Sequence, residues 1–224
     1  MPAALLLAAA LAVPGDAEPD VVRLFDGETL AGWTGETHLW SVEPGEDGGP
    51  PCIVGTSPGL DHNTFLTTDR SFADFDLTFE CKLTPDTANS GVQFRSERIA
   101  EEGDDASRGG HPPGPASEMR GYQADMGAGW WGKLYEENLR GMLYGGSPDA
   151  PRPDQPTAAD AVKPGEWNTY RIRAKGDRIR TWINGEPSAD LVDPAGRKAG
   201  VIGLQMHSGG PMEVRFRELE VREL

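Results

Sequence analysis

From residue 75 to residue 83 the chain alternates without a break. Phe75, Leu77, Phe79, Cys81 and Leu83 take one parity, and Asp76, Thr78, Glu80 and Lys82 take the other. A β-strand sends successive side chains to opposite faces, so this order calls for a strand buried on one side only and does not suit a helix. Three further stretches repeat the pattern. Residues 90–95 set Val92 and Phe94 against Gln93 and Arg95, residues 121–126 set Ala124 and Met126 against Gln123 and Asp125, and residues 203–207 set Leu204 and Met206 against Gln205 and His207. If these strands share a sheet, one face gathers Glu80, Gln93, Arg95, Gln123, Asp125, Gln205 and His207. An ordinary solvated face carries mostly Thr, Ser and Lys, so this one is expected to hold a site.

Strand signals continue to the C-terminus of the 224 residues, with 29 Gly and 19 Pro supplying turns and no long helical period in the interior. Residues 22–25, 40–43, 52–55, 64–67, 167–174, 178–184 and 214–221 read as further strands. About a dozen short strands joined by polar turns point to two packed sheets, a jelly-roll sandwich forming a single domain. Residues 97–117 are polar and lack either period, which suggests a loop at the rim of the polar face or a surface insertion. Residues 145–163, rich in Pro and Asp, read as a second loop.

The formal net charge of -15 leaves too few cations to bind a phosphate backbone, so nucleic acid and anionic membrane surfaces are not expected partners. A neutral substrate or a bound cation is compatible with it, as is plain solubility. Residues 5–13 form an apolar run too short to span a bilayer and are followed by Gly15, Asp16 and Ala17, small residues of the kind a signal peptidase reads. The expectation is a signal peptide over residues 1–17, an exported mature chain over 18–224 and no transmembrane segment. Cys52 and Cys81 exclude a disulfide-dense scaffold; a single bridge and two buried thiols are both open.

His207 stands on the polar parity beside Gln205. Asp125 and Glu80 could act as acid and base, could coordinate a cation through oxygen, or could pair with Arg95 across strands. Trp130 and Trp131 follow flexible glycines directly after the strand carrying Asp125, where an exposed aromatic ring suits stacking on a sugar; at least one is expected to be core. Glu136, Glu137 and Arg140 come next in the chain. No nucleophile elbow, Walker loop, dinucleotide fingerprint or zinc spacing is present, so no nucleotide cofactor is expected.

In chain order, Leu24-Phe25-Asp26-Gly27 with Gly32-Trp33, Trp40-Ser41-Val42-Glu43, Asn89-Ser90-Gly91-Val92-Gln93-Phe94-Arg95, Gly121-Tyr122-Gln123-Ala124-Asp125, Gly165-Glu166-Trp167-Asn168, Trp182-Ile183-Asn184-Gly185 and Gly203-Leu204-Gln205-Met206-His207 resemble the bacterial 3-keto-disaccharide hydrolase family. The resemblance spans nearly the whole mature chain. It implies an all-β, concanavalin-like jelly-roll sandwich with its site on a concave face, and export. It also implies cleavage of 3-keto-glycosides by elimination and hydration, with an oligosaccharide or glycoside as substrate. On that reading His207 or Asp125 is the base and Glu80 an acid or ligand. Arg95 stabilises an oxyanion together with a divalent cation on Asp125 and His207. Gln93, Gln123 and Gln205 hold sugar hydroxyls. Apart from the resemblance, Trp130, Trp131 and Glu137 are candidate sugar contacts by their residue type and place.

Two other readings fit the same residues. A non-catalytic carbohydrate-binding module needs only the aromatic and Gln side chains, and a conventional glycosidase would use paired carboxylates on unoxidised sugar.

Overall fold

The computed structural model describes residues 21–99 and 118–224. The expected signal segment, and residues 100–117 of the expected long loop, lie outside the described residues. The first ten strands are β1 (Val21–Arg23), β2 (Trp33–Gly35), β3 (Trp40–Glu43), β4 (Cys52–Ser57), β5 (Thr64–Phe72), β6 (Phe75–Thr84), β7 (Asn89–Arg98), β8 (Met119–Gly127), β9 (Leu134–Glu137) and β10 (Gly141–Tyr144). Beyond them come β11 (Gly146–Ser147), β12 (Ala150–Pro151), β13 (Asn168–Lys175), β14 (Arg178–Ile183), β15 (Glu186–Val192), β16 (Gly200–Met206) and β17 (Met212–Glu223). No α-helix forms among the described residues, and no helix is long and apolar enough to cross a membrane.

Two antiparallel sheets make the sandwich. One runs β15-β14-β13-β6-β17-β4-β3 with β1 added on β17, and the other runs β10-β9-β8-β7-β16-β5-β2. Their facing sides form one apolar core in which Phe75 of the first sheet meets Phe94 of the second edge-on, with ring centres 6.2 Å apart. Phe79 stacks on Tyr170 and Phe94 on Tyr122, each pair at about a strand-to-strand spacing. Cys52 and Cys81 are both buried and free, so no bridge joins them.

The alternations at residues 90–95 and 121–126 resolve as neighbouring strands. β7 pairs with β8 with Gln93 opposite Gln123 and Gly91 opposite Asp125, and β16 pairs with β7 with Gly203 opposite Gln93. Val92, Ala124, Met126 and Leu204 belong to the core, so the opposite parity faces away from it.

The strand carrying Glu80 is not part of this face. β6 lies in the other sheet, between β13 and β17, and Glu80 accepts a 2.6 Å hydrogen bond from Arg217 Nε on that sheet's outer side. A period of two fixes which side of a strand is buried but not which sheet the strand joins, and this is where the shared-face expectation fails for Glu80. Arg95 departs for a different reason. The β7–β8 register shifts between Phe94 and Glu97, and Arg95 sits there with a left-handed φ of 48°. A one-residue bulge reverses the facing of the residues beyond it. Arg95 is therefore turned off the polar face and is 1% exposed, donating to the carbonyls of Ala73 and Gly176 and to Asp74, each at 2.8 Å.

The long-loop expectation also shortens, because β7 runs on to Arg98. Residues 145–163 hold the small β11–β12 pair and a 3-10 turn at Ala158–Ala161.

Candidate active site

On the outer side of the seven-stranded sheet, a cavity of about 160 Å³ is lined by Asn63, Asn89, Gln123, Asp125, Trp130, Tyr135, Glu137 and His207. Strand pairing assembles it. Gln123 and Asp125 project from β8, Tyr135 and Glu137 from β9, and His207 comes directly after β16. The register sets Gln123 opposite Tyr135, while Asn89 opens β7.

A row of amides holds the central carboxyl. Ser96 Oγ donates to Gln93 Oε1 (2.6 Å), Gln93 Nε2 to Gln123 Oε1 (3.0 Å) and Gln123 Nε2 to Asp125 Oδ1 (2.8 Å). Gly91 makes this row possible, because a Cβ there would come within 2.6 Å of the Gln123 amide carbon. Asp125 Oδ2 is buried and has no hydrogen-bond partner among the described residues. One oxygen is thus fixed and the other left open.

Burial pushes the Asp125 carboxyl up to about 7, opposed by the Gln123 hydrogen bond and the nearby Lys133 charge. Glu137 is pushed up to about 8, first by burial and then by the negative charges of Asp125 and Glu118. Near neutral pH the cavity therefore offers one carboxyl about half ionised and one mostly protonated, so an acid and a base can coexist there. Tyr135 is raised as well, by burial and by the same two cavity carboxyls. His207 Nδ1 lies 2.6 Å from the Ser208 carbonyl, to which it donates, and this leaves Nε2 available to a ligand.

Lys133 closes the turn after β8 and is only 8% exposed. Its ammonium sits 5.6 Å from the centre of the Trp130 ring, and burial lowers its pKa against the pull of Asp125. It lends positive charge to Asp125 and fixes the aromatic wall.

Of the residues singled out in the sequence, Asp125, Gln123, His207, Trp130 and Glu137 line the cavity together. Gln93 stands one place behind, as the support of Gln123. Gln205 is on the same side, fully buried, with neither amide atom hydrogen-bonded among the described residues. Trp131 packs against the core instead. Glu80 is held by Arg217 on the other sheet, and Arg95 is turned inward at the bulge. Glu136 is 2% exposed and pairs with Arg140, which also bridges to Asp193.

Sequence reading missed Tyr135, Lys133, Asn63 and Asn89. Tyr135 and Glu137 share a parity, but the opposite parity of β9 holds Leu134 and the charged Glu136, so the strand lacked an apolar stripe. The two Asn residues sit where strands begin, positions that turn chemistry alone explains.

Among the described residues no group of three or more His, Cys, Asp or Glu side chains is placed to hold a metal ion. Asp125 and His207 supply two ligand groups, which fits a cation held largely by water and substrate oxygens and not a full protein cage.

A family model described as the 3-keto-alpha-glucoside-1,2-lyase-like domain matches residues 20–222. The chain belongs to this family. None of the curated proteins matches the chain in sequence. Two solved structures of candidate glycosyl hydrolases from Parabacteroides distasonis ATCC 8503 are similar to it. One has 20% identity, covering 92% of this chain and all of the other with a TM-score of 0.58. The other has 18% identity, covering 91% and 94% with a TM-score of 0.57. The carbohydrate-binding module CBM66 from Bacillus subtilis is similar at 15% identity over 86% of this chain and 96% of that one, TM-score 0.51. At these identities the likeness is one of fold, a sandwich of the jelly-roll type. Family membership places the chain among carbohydrate-active proteins.

Proposed function

We propose that this protein cleaves the glycosidic bond of 3-keto-glycosides by elimination and then hydration, with Asp125 as the base. The observation that carries the reading is the Asp125 carboxyl itself. One oxygen is fixed by Gln123, the other is buried and unpaired, and both belong to a cavity shared with Glu137, Tyr135 and His207.

A ketone at C3 acidifies the proton on C2. Asp125 Oδ2 takes that proton, and the electron pair passes through the enolate to expel the C1 glycosidic oxygen, leaving a C1=C2 double bond. His207 enters this step as the imidazolium, with Nδ1–H on the Ser208 carbonyl, and its Nε2–H gives the leaving oxygen its proton. Glu137, protonated below about pH 8, donates to the enolate oxygen while charge develops there. In the second half water adds: His207 takes a proton from it as oxygen bonds to C1, and Asp125, whose carboxyl has exchanged its proton with solvent in the meantime, protonates C2. The net change is hydrolysis, with both side chains restored.

Trp130, backed by Lys133, offers a flat apolar wall for a sugar face. A divalent cation on Asp125 and His207 remains a proposal, and no step of the reaction is routed through it; loss of turnover on chelation with recovery on added cation would support it. Export, with residues 1–17 as signal, is likewise proposed.

The test is turnover of a 3-keto-disaccharide beside its unoxidised parent. Cleavage of the keto form alone, lost in Asp125→Asn, supports the reading. Cleavage of the parent would point to paired-carboxylate hydrolysis, and binding without cleavage to a carbohydrate-binding module.

A further inference from the structure

The reaction cavity does not stand alone. A second cavity of about 350 Å³ adjoins it, and Asn89 and His207 line both. Its remaining walls include Thr87, Pro211 and Met212, and among the described residues that line it His207 is the only ionisable side chain. The two compartments therefore differ in character. The inner one carries two carboxyls whose pKa values are raised, and the outer one carries no charge of its own apart from its shared wall.

We infer that the outer cavity is the leaving-group subsite, taking a neutral sugar or other uncharged aglycone while the oxidised ring occupies the inner cavity. This rests on the elimination reading. Three observations argue for it. Its volume falls within the range of about 300–1,000 Å³ found for small-molecule sites, whereas the inner cavity is sized for a single ring. Its lining offers apolar carbons with amide and hydroxyl groups, which suits a neutral hydroxylated ligand and would leave an ionised aglycone without a counter-charge. The partition is made by the side chain whose open Nε2 must meet the glycosidic oxygen, so the bond to be broken lies at the boundary between the chambers. Asn89 stands beside it as the second shared wall.

The subsite can be closed without touching the reaction chamber. Gly210 lines the outer cavity, a Cβ built on it meets no atom within 4 Å, and its backbone is not left-handed. Gly210→Phe adds a ring at this wall, where there is open space for it, and Thr87→Trp adds one independently at an exposed position of another wall. The measurement compares a 3-keto-disaccharide with methyl 3-keto-glucoside, whose leaving group is methanol. In both variants kcat/KM for the disaccharide is expected to fall at least tenfold, with the methyl glycoside unchanged within twofold. Equal rates on the disaccharide before and after substitution overturn the inference, and so does an equal loss on both substrates in both variants. If the unaltered protein turns over neither substrate, the elimination reading fails separately. The same pair is then compared by calorimetric affinity, where loss confined to the disaccharide still supports the subsite and an unchanged preference overturns it.

Discussion

Gln123 Nε2 donates to Asp125 Oδ1 at 2.8 Å, while the second oxygen of the same carboxylate is buried with nothing to accept from. A buried acceptor left open is an expense to the fold, and here it has a direction. The carboxyl is held near 7 instead of its ordinary 3.8.

Removing that carboxyl should therefore stabilise the protein while ending turnover. Below about pH 4 both folded and unfolded chains hold the proton and Asp125 is neutral toward folding. As pH rises from 4 to 7 the unfolded chain ionises first, so native stability falls across this window by on the order of 4 kcal/mol and stays low above it. Asp125→Asn abolishes this loss. Thermal melts at several pH values should show the variant gaining most above pH 7 and little at pH 4, and an equal gain at every pH would contradict the account.

The pH–rate profile should be narrow. Asp125 must be ionised, which sets a limb near 7, and Glu137 must be protonated, which sets a limb near 8. Glu137→Gln keeps a neutral donor but cannot ionise. Its activity should persist and its alkaline limb should disappear, so retention of that limb would remove Glu137 from the mechanism.

Arg95 and Glu80, expected at the site from strand parity and from the family resemblance, are predicted to be structural. Arg95→Met strips partners from Ala73, Gly176 and Asp74 and should destabilise by about 3 kcal/mol. Glu80→Gln loses one partly exposed ion pair and should change stability by less than about 1 kcal/mol. Denaturant titration measures both, and neither should alter KM for the sugar in folded protein.

The adjacent tryptophans should separate. Trp130 lines the cavity and Trp131 packs on the core. Trp130→Ala should raise KM about tenfold with little change in melting temperature. Trp131→Ala should lower stability by about 2 kcal/mol with KM unchanged. Exchanged phenotypes would reverse the assignment.

These residues also show how far the sequence reaches. β7, β8 and β16 were legible because each sets apolar side chains on one parity and polar ones on the other, so parity alone put Gln93, Gln123, Asp125 and Gln205 on a common face. Parity could not say that β6 joins the opposite sheet, since strand pairing is a long-range property. It could not anticipate the bulge that turns Arg95 inward, because the left-handed backbone there has no signature in an arginine. It passed over β9, where the buried Glu136 is satisfied by Arg140 and breaks the apolar rhythm that would have revealed Tyr135.

The most direct test of Asp125 as a C2 base is isotopic. The protein is incubated with a 3-keto-disaccharide in deuterium oxide, and the released 3-keto sugar is analysed by mass spectrometry against product held in the same solvent. Elimination and hydration predict one deuterium at C2 above that background, with no incorporation and no release in Asp125→Asn. Release of sugar without deuterium at C2 would contradict the account.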